Sequence, residues 1–468
     1  MINQAKAGKR FYYIGFAAAV VSLVVAELIW LPAPARTAGG TQWIEWIDWL
    51  YYGLALIPLC WAAGAAWLLR KSESAAGVRV IRAIILALSL LLAAGIVMDA
   101  VHMLGLAIAC ATSVVLLLIA DLMLSERRER GGFPWRSASS LAGIGLALCA
   151  LLVPTGYSVT YPGMTLNLNR YAQVEGGQAV GEINGVLVFD RPAVLADRLF
   201  GALLPQYRFY PISEDEPPLS VTYAQVVAMK TDANRVAAAI AMQKAGLGQG
   251  VVPDGVRIVA IVKGSPADGR LEAGDIVDEL NGKKVQTVED MIGYMSSVKP
   301  GETVVVQVRR GGEALTVQVP THASEGDESK AVFGVSVQTE AKLDTPRAVA
   351  FHEYRAHVGG PSHGAMLTLA ILDQLMAGGV TGGLQVAGTG TIEMDGSIGM
   401  VGGIPQKAYA VSRTGADVFF VPEEGAEAAA EAAPELNVVA VGHIDEVLAW
   451  LSEHGGRGME TREGGNAE

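Results

Sequence analysis

The sequence is poor in cysteine, with only three in 468 residues. Cys60, Cys110 and Cys149 all fall in apolar stretches of the first third of the chain, and no cysteine follows them. The remaining two thirds therefore have no disulfide framework and must fold around a hydrophobic core. The cysteines do not identify the cellular compartment, because they are compatible with an oxidising exterior but do not demonstrate one.

Charged residues are also scarce, at 18% of the chain, while 51% of the residues are apolar. An ordinary soluble protein has about 25% charged residues. The apolar excess lies in residues 1–156, whereas the acidic excess, which makes the net charge −12, lies in the part after them, called the globular part below. Nucleic-acid phosphates attract basic surfaces, so we expect no nucleic-acid partner.

Two motifs of cofactor-dependent enzymes are missing. The sequence contains no Gly-x-x-x-x-Gly-Lys-Ser/Thr loop for nucleotide phosphates, so we expect no nucleotide cofactor of that kind. His352 and His357 flank Glu353, but they are five positions apart instead of the four that a zinc-peptidase helix requires. Residues with that spacing point about 140° apart around a helix, so we expect no metal site.

Five apolar runs occupy the first 156 residues, each close to the ~20 residues that a helix needs to cross a bilayer. Basic residues precede the first run and fill the loops after the second and fourth runs. The positive-inside rule then predicts a multi-pass plasma-membrane protein with a cytoplasmic amino terminus and an extracytoplasmic globular part. Glu27 and Asp121 fall near predicted helix ends, where snorkelling or an error in the predicted boundary accounts for them. The runs are 11–32, 49–69, 81–98, 104–123 and 139–156.

After Tyr157 the pattern changes to short alternating segments, which we divide into a linking α/β subdomain (157–245) and a β-rich module (246–321). The module contains the hairpin signal Asn281-Gly282 and a helix with helical apolar spacing from Val288. Its stretches Ser265-Pro266-Ala267, Leu271 to Val277, and Asn281-Gly282-Lys283 resemble a PDZ domain of the bacterial protease-associated kind. This resemblance implies a groove that binds a peptide as an added strand.

A tight turn, Gly359-Gly360-Pro361-Ser362, leads into an apolar helix. Backbone N–H groups are free at a helix start and the helix dipole is positive there, so a nucleophile and an oxyanion could both be accommodated. The alternative is that Ser362 only caps the helix, the commonest reason for serine at this position.

A second helix opens at Gly402-Gly403-Ile404-Pro405-Gln406-Lys407. A cation is electrostatically misplaced at a helix start, so Lys407 is either an ordinary surface lysine or a neutral amine. A neutral lysine, with a pKa lowered by burial, can act as the base that a serine nucleophile requires.

These glycine-rich stretches, together with Gly388-Thr389-Gly390-Thr391-Ile392 and Gly415-Ala416-Asp417, resemble the proteolytic domain of the Lon family. The order of membrane segment, PDZ and Lon-type domain is similar to that of the membrane-anchored PDZ–Lon proteases of bacteria. The resemblance implies that Ser362 is the nucleophile, Lys407 the base and Thr389 a residue that orients the pair. Gly360, His363 and Gly364 become candidates for the oxyanion pocket or a substrate subsite.

Three departures from the family pattern matter. His363 stands where the family usually has a small residue, and five apolar runs replace a single anchor. Full Lon proteases also carry an ATPase, whereas this sequence lacks the nucleotide loop, so we expect ATP-independent cleavage of peptides, flexible tails or unfolded chains. Ring assembly is general for Lon-type domains, which implies a homo-oligomer.

The resulting prediction is a multi-domain protein with an α-helical transmembrane bundle, a PDZ-like β-rich module and an α/β Lon-type proteolytic domain. Its predicted function is that of an extracytoplasmic serine endopeptidase with a Ser362–Lys407 dyad. The alternative is a non-enzymatic peptide-sensing or chaperone-like membrane protein with an unused dyad. The predicted boundaries are 1–156 (bundle), 157–245 (linking), 246–321 (PDZ), 322–454 (protease) and 455–468 (disordered tail).

Overall fold

The fold is taken from a computed structural model. It describes residues 2–31, 43–71, 75–99, 104–212, 219–324, 327–354 and 359–455. The tail predicted to be disordered therefore lies outside the described residues, except for Gly455.

Six helices form the amino-terminal bundle, and within the described residues they provide five segments long and apolar enough to cross a membrane. The predicted number is confirmed. The second segment joins α2 to α3 across a turn at Leu54 and Ala55. The first helix ends at Leu28, earlier than predicted, because Trp30 leaves the helix to pack on the globular part. The helices are α1 (Ile2–Leu28), α2 (Trp43–Gly53), α3 (Leu56–Lys71), α4 (Ala76–Asp99), α5 (Leu104–Arg130) and α6 (Trp135–Leu152).

An ion pair is buried inside this bundle. Arg82 Nε of α4 donates to both carboxylate oxygens of Asp121 of α5, at 3.0 Å each. The hydroxyl groups of Tyr12 and Ser125 also donate to Asp121. Of the two explanations for Asp121, snorkelling is excluded, because the carboxylate is buried and faces the helix bundle, where a buried charge needs a partner.

A six-stranded sheet with the strand order β16-β15-β14-β3-β1-β4 forms the centre of the globular part. Strands β3, β14, β15 and β16 are parallel, while β1 runs antiparallel to β3 and β4. Strands from the segment predicted as a linking subdomain thus share one sheet with strands of the predicted protease domain. The strands are β1 (Pro154–Asn167), β3 (Glu182–Val194), β4 (Arg208–Pro211), β14 (Gln385–Gly388), β15 (Val418–Pro422) and β16 (Val438–Val441).

Helices cover both faces of this sheet. In β15, Val418 and Phe420 face the core shared with α9, α11 and α14, whereas Phe419 and Val421 face the core shared with α12 and α13. This alternation follows from the two-residue period of a strand and produces three layers, α/β/α. The remaining helices are α7 (Leu168–Tyr171), α8 (Leu195–Leu203), α9 (Leu219–Lys244), α11 (Gly364–Leu375), α12 (Ile404–Ser412), α13 (Ala426–Ala432) and α14 (Ile444–His454), with 3-10 turns at Pro361–His363 and Glu423–Gly425.

A second sheet, with the order β12-β5-β6-β8-β9, forms the β-rich module and encloses its own core. The predicted Asn281-Gly282 hairpin joins β6 to β7, with φ of 49° and 77° at the two turn residues. Strand β12 follows the predicted module boundary but pairs along β5, so it completes this sheet. The elements are β5 (Gly250–Ile261), β6 (Ile276–Leu280), β7 (Lys283–Lys284), α10 (Val288–Met295), β8 (Thr303–Arg310), β9 (Glu313–Pro320) and β12 (Val335–Asp344).

Two short ladders complete the described strands. They pair β10 with β11 and β13 with β2. Among the described residues, those that directly follow the Asp395-Gly396 turn form no strand. Backbone hydrogen bonds close that turn, but the returning backbone makes only one bridge, between Ser397 and His443. The short strands are β2 (Ala172–Val174), β10 (His322–Ser324), β11 (Asp327–Val332) and β13 (Val349–Phe351).

Candidate active site

Ser362 lies in the single 3-10 turn that leads into α11, and its side chain is partly buried. Gly359 enters this turn with a φ of 56°, which favours glycine. The turn packs closely on the loop after β14, since a Cβ atom on Gly364 would lie only 2.7 Å from a side-chain carbon of Ile392. The predicted helix start at Ser362 is thus built on glycine contacts that hold it near the end of β14.

Lys407 lies in the first half of α12, on the opposite face of the sheet. Gly403 precedes the helix with a φ of 69°, and Pro405 occupies the first turn, where its missing N–H is not needed. The Lys407 side chain is only 2% exposed. Lys407 is therefore a buried residue, not an ordinary surface lysine.

Thr389 connects the two helices at the carboxyl end of β14. Lys407 Nζ donates a hydrogen bond to Thr389 Oγ1 at 2.9 Å. Thr389 Oγ1 in turn donates to the backbone carbonyl of Ser362 at 3.1 Å, and Gly390 N donates to the same carbonyl at 2.9 Å. The three residues predicted from sequence are brought together in this way, while no direct hydrogen bond joins the Ser362 hydroxyl to the Lys407 amine.

The surroundings of Lys407 disfavour a charged amine. Among the residues that the structure describes, no carboxylate forms an ion pair with it. Burial lowers the pKa of Lys407 to about 7, whereas an exposed lysine has a pKa of about 10.4. A substantial fraction of the amine is therefore neutral near pH 7 and able to accept a proton.

His363, the residue after Ser362, is buried beneath helix α9. Its Nε2 lies 2.9 Å from Asn234 Oδ1, and Asn234 Nδ2 donates to the Tyr171 hydroxyl at 3.0 Å. The rings of Tyr171 and His363 meet edge to face. Burial, followed by the nearby positive charge of Lys230, lowers the pKa of His363 to about 4. His363 is thus neutral at ordinary pH, and this histidine anchors the turn that carries Ser362.

Asn234 and Tyr171 were not predicted as part of the site. Asn234 is 129 residues away from its partner His363 in the sequence. Tyr171 is 63 residues away from its partner Asn234. Asn234 is not part of a recognisable sequence motif, and no role was predicted for the helix that carries it. Only the packing of α9 on the Ser362 turn identifies this contribution.

The end of the first apolar helix packs on the far side of α12. Trp30 is 3% exposed and its ring contacts those of Tyr207 and Tyr409. Arg413, at the end of α12, donates to the carbonyl oxygens of Trp30 and Leu31. The helix that carries Lys407 is therefore held by the membrane-proximal chain as well as by the sheet, a contact that the sequence did not predict.

Comparison with protein families assigns both globular regions. Residues 231–321 match the PDZ domain family, and residues 350–453 match the C-terminal proteolytic domain of Lon protease. The PDZ match begins within α9, earlier than the boundary predicted at 246.

Individual relatives match only parts of the chain. A Lon protease of Chloroflexus aggregans is 28% identical over 171 residues, which is 31% of this chain and 20% of that protein. A probable periplasmic serine endoprotease DegP-like of Bartonella henselae is 31% identical over 75 residues, 16% of this chain and 15% of that protein. Its counterpart in Ectopseudomonas mendocina is 34% identical over 79 residues, 16% of this chain and 17% of that protein.

The chain thus spans a fifth or less of the length of these curated relatives. The two family matches follow one another along the globular part, and the residues around Ser362, Thr389 and Lys407 fall within the second of them. The protein therefore combines five apolar helices with a PDZ domain followed by a Lon-type C-terminal proteolytic domain.

Proposed function

We propose that the protein is an ATP-independent, membrane-anchored serine endopeptidase in which Ser362 is the nucleophile and Lys407 the general base. One observation carries this proposal: Lys407 is buried beside Thr389, without a carboxylate partner among the described residues and with a pKa of about 7. A buried lysine with a structural role needs a counter-charge, whereas a base must be neutral.

The hydrogen-bond directions support a free lone pair on the Lys407 amine. Thr389 uses its hydroxyl hydrogen to donate to the Ser362 carbonyl, so its oxygen accepts from Lys407. A neutral amine has two hydrogens and one lone pair. Because one hydrogen is given to Thr389, the lone pair remains available for the proton of the Ser362 hydroxyl.

The reaction then follows the usual course of acyl transfer. Ser362 Oγ attacks the peptide carbonyl carbon while its proton passes to Lys407 Nζ. The resulting oxyanion faces the amino end of α11, where the dipole and the turn N–H groups of Gly360 and His363 favour negative charge. Gly364 N already donates to Pro361 O, so of the three candidate oxyanion donors it is the weakest. Lys407 next protonates the leaving amine, and water hydrolyses the acyl ester on Ser362.

The PDZ domain supplies the second element of the proposal. Because a PDZ groove binds an extended peptide as an added strand, it would recruit peptides, flexible tails or unfolded segments. Basic residues beside the apolar runs favour a cytoplasmic amino terminus and extracytoplasmic PDZ and protease domains. The proposal also includes assembly of several copies of this chain into a homo-oligomer.

Hydrolysis of fluorescein-labelled casein by the full chain in detergent micelles, without nucleotide, tests the proposal. Wild type should release fluorescent peptides, Ser362→Ala should release none, and Ser452→Ala should behave as wild type, because Ser452 lies on the exposed side of α14. A serine-directed phosphonate should label wild type but not Ser362→Ala. Labelling that survives Ser362→Ala would refute the dyad, and binding of casein without any hydrolysis would favour the peptide-sensing alternative.

A further inference from the structure

Helix α8 exposes a row of leucines. Leu195, Leu199 and Leu203 are 48%, 62% and 70% exposed, and their spacing of four residues places them on one side of the helix. The opposite side is fixed to the sheet, since Asp197 is fully buried and its carboxylate accepts hydrogen bonds from Arg191 and from Val194 N. The exposed leucine row is therefore a stable feature of the folded surface.

The leucine row begins where the last apolar helix ends. Leu195 N donates to Val153 O at 3.2 Å, and Val153 directly follows α6. Leu152 and Val153 are themselves 57% and 41% exposed. Whatever medium surrounds the end of α6 therefore also reaches the start of the leucine row.

Aromatic and basic groups border the same row. The guanidinium of Arg198 lies 4.3 Å from the ring centre of Tyr157 and 4.9 Å from that of Phe209. Tyr210, on the neighbouring strand β4, is 54% exposed. Leucines flanked by tyrosines and an arginine match the bilayer boundary, where apolar chains meet phosphate headgroups.

We propose that α8 is an interfacial helix that lies on the phospholipid surface, with Leu195, Leu199 and Leu203 inserted below the headgroups. Lipid is favoured over a second copy of the chain because the row is continuous with the exposed end of α6, which is apolar enough to cross a membrane. This contact would hold the sheet that carries the candidate active site at the bilayer surface. The proposal does not depend on peptidase activity.

Spin labels on the full chain in phosphatidylcholine–phosphatidylglycerol vesicles test this placement. The labels are attached to Leu199→Cys, Leu203→Cys and, as a control, Val259→Cys in a Cys60→Ala, Cys110→Ala, Cys149→Ala background. Val259 is 50% exposed on the PDZ sheet. Labels at 199 and 203 should be relaxed several-fold more by oxygen than by a water-soluble nickel chelate, and the control should show the reverse. Labels at 199 and 203 that behave like the control, or that neither agent reaches because protein covers them, would overturn the proposal.

Hydrogen exchange provides a second measurement without labels. Amides 195–203 in vesicles should exchange at least tenfold faster in a Leu199→Glu, Leu203→Glu variant than in wild type, and Val259→Glu should leave them unchanged. Equal exchange in wild type and in the double variant would rule out lipid contact. Circular dichroism confirms that the variants are folded.

Discussion

Arg82 and Lys407 are both buried, but they lie in different regions of the protein and have different surroundings. Arg82, in the helix bundle, is 3% exposed and lies against the carboxylate of Asp121. Lys407, in the globular part, is 2% exposed and donates to the hydroxyl of Thr389. Both are equally removed from solvent, but only Arg82 has an anionic partner among the described residues.

This difference separates a structural cation from a candidate base. Removing a charge from water is costly unless an opposite charge is close, and Asp121 supplies that charge to Arg82. Lysine, unlike arginine, readily gives up its proton when buried. Lys407 has no carboxylate partner among the described residues and lowers the cost of burial by becoming neutral, which is the state that the proposed base requires.

Replacing the proposed base should have the largest effect. Lys407→Met is expected to lower kcat for casein hydrolysis by about 10³-fold or more, as removal of a triad member does. Lys263→Met, an exposed lysine of the PDZ domain, should change nothing. Initial rates of the purified full chains measure both, and a Lys407→Met enzyme with near-normal kcat would remove Lys407 from the mechanism.

The same variant should be more stable than wild type at pH 7. The pKa of Lys407 is about 7 in the folded protein and about 10.4 when unfolded, so between these values the unfolded chain binds more protons. Wild-type stability should therefore rise with pH across that window, whereas Lys407→Met should lack this contribution. Thermal unfolding at pH 7 and pH 9.5 measures the difference.

Breaking the ion pair in the bundle should destabilise the protein instead. Asp121→Asn leaves Arg82 buried without its anion and is expected to cost about 3–5 kcal/mol of stability. The double change Arg82→Met, Asp121→Leu removes both charges and should recover most of this loss. Unfolding by denaturing detergent compares the variants, and equal stability of Asp121→Asn and wild type would show that the pair contributes little.

Giving Lys407 an anionic partner should stabilise its charged form, as Asp121 does for Arg82. Thr389→Asp places a carboxylate at the position that now accepts its hydrogen bond and should raise the pKa of Lys407 by about one to three units. Activity at pH 7 should fall by about 10- to 10³-fold and partly return at higher pH. Thr389→Asn, of the same size but neutral, should keep the wild-type pH profile; a shared profile for both variants would argue against charge as the cause.

The next smaller effect is the change of wild-type activity with pH. Because the base must be neutral and its pKa is about 7, kcat/KM should fall about tenfold per pH unit below pH 7 and level off above it. His363, whose pKa is about 4, should add no step between pH 5 and pH 9. A single rise near pH 10 would instead indicate an exposed, charged lysine.

The smallest effect concerns how Lys407 is held. Among the described residues no ion pair fixes this side chain, so its hydrogen bond to Thr389 and the packing of α12 position it. Arg413→Gln removes the charged donor to the carbonyl oxygens of Trp30 and Leu31 and should lower kcat a few-fold with little change in KM. Arg235→Gln, an exposed arginine on α9, is the control. A fall in kcat matched by an equal fall in the folded fraction, measured by circular dichroism, would point to a general loss of folding.

Local patterns predicted much of the fold. The five apolar runs are each about as long as a membrane-spanning helix, and the Asn281-Gly282 hairpin depends on two adjacent residues. The continuous apolar run Val418-Phe419-Phe420-Val421 is typical of a strand buried on both faces, and it forms the buried strand β15. The sequence could not show that β1 and β3 join β14 in one sheet, because that pairing links segments about 200 residues apart.

The site divides in the same way. Ser362, Thr389 and Lys407 were recognised by family resemblance, since glycines beside them mark the turns. Asn234 and Tyr171 carry no such signal. The pairing of Asp121 with Arg82 was missed because the two residues lie on different helices, and only the packing of those helices brings them together.

By itself the sequence determined which segments are apolar enough for a membrane and where glycine permits the turns beside Ser362 and Lys407. Only the tertiary structure decided that Lys407 is buried with no anionic partner among the described residues and is hydrogen-bonded through Thr389 to the Ser362 turn. The physical reason is that the pKa of a side chain depends on its dielectric surroundings and on neighbouring charges. Those neighbours come from both faces of the sheet and are distant along the chain.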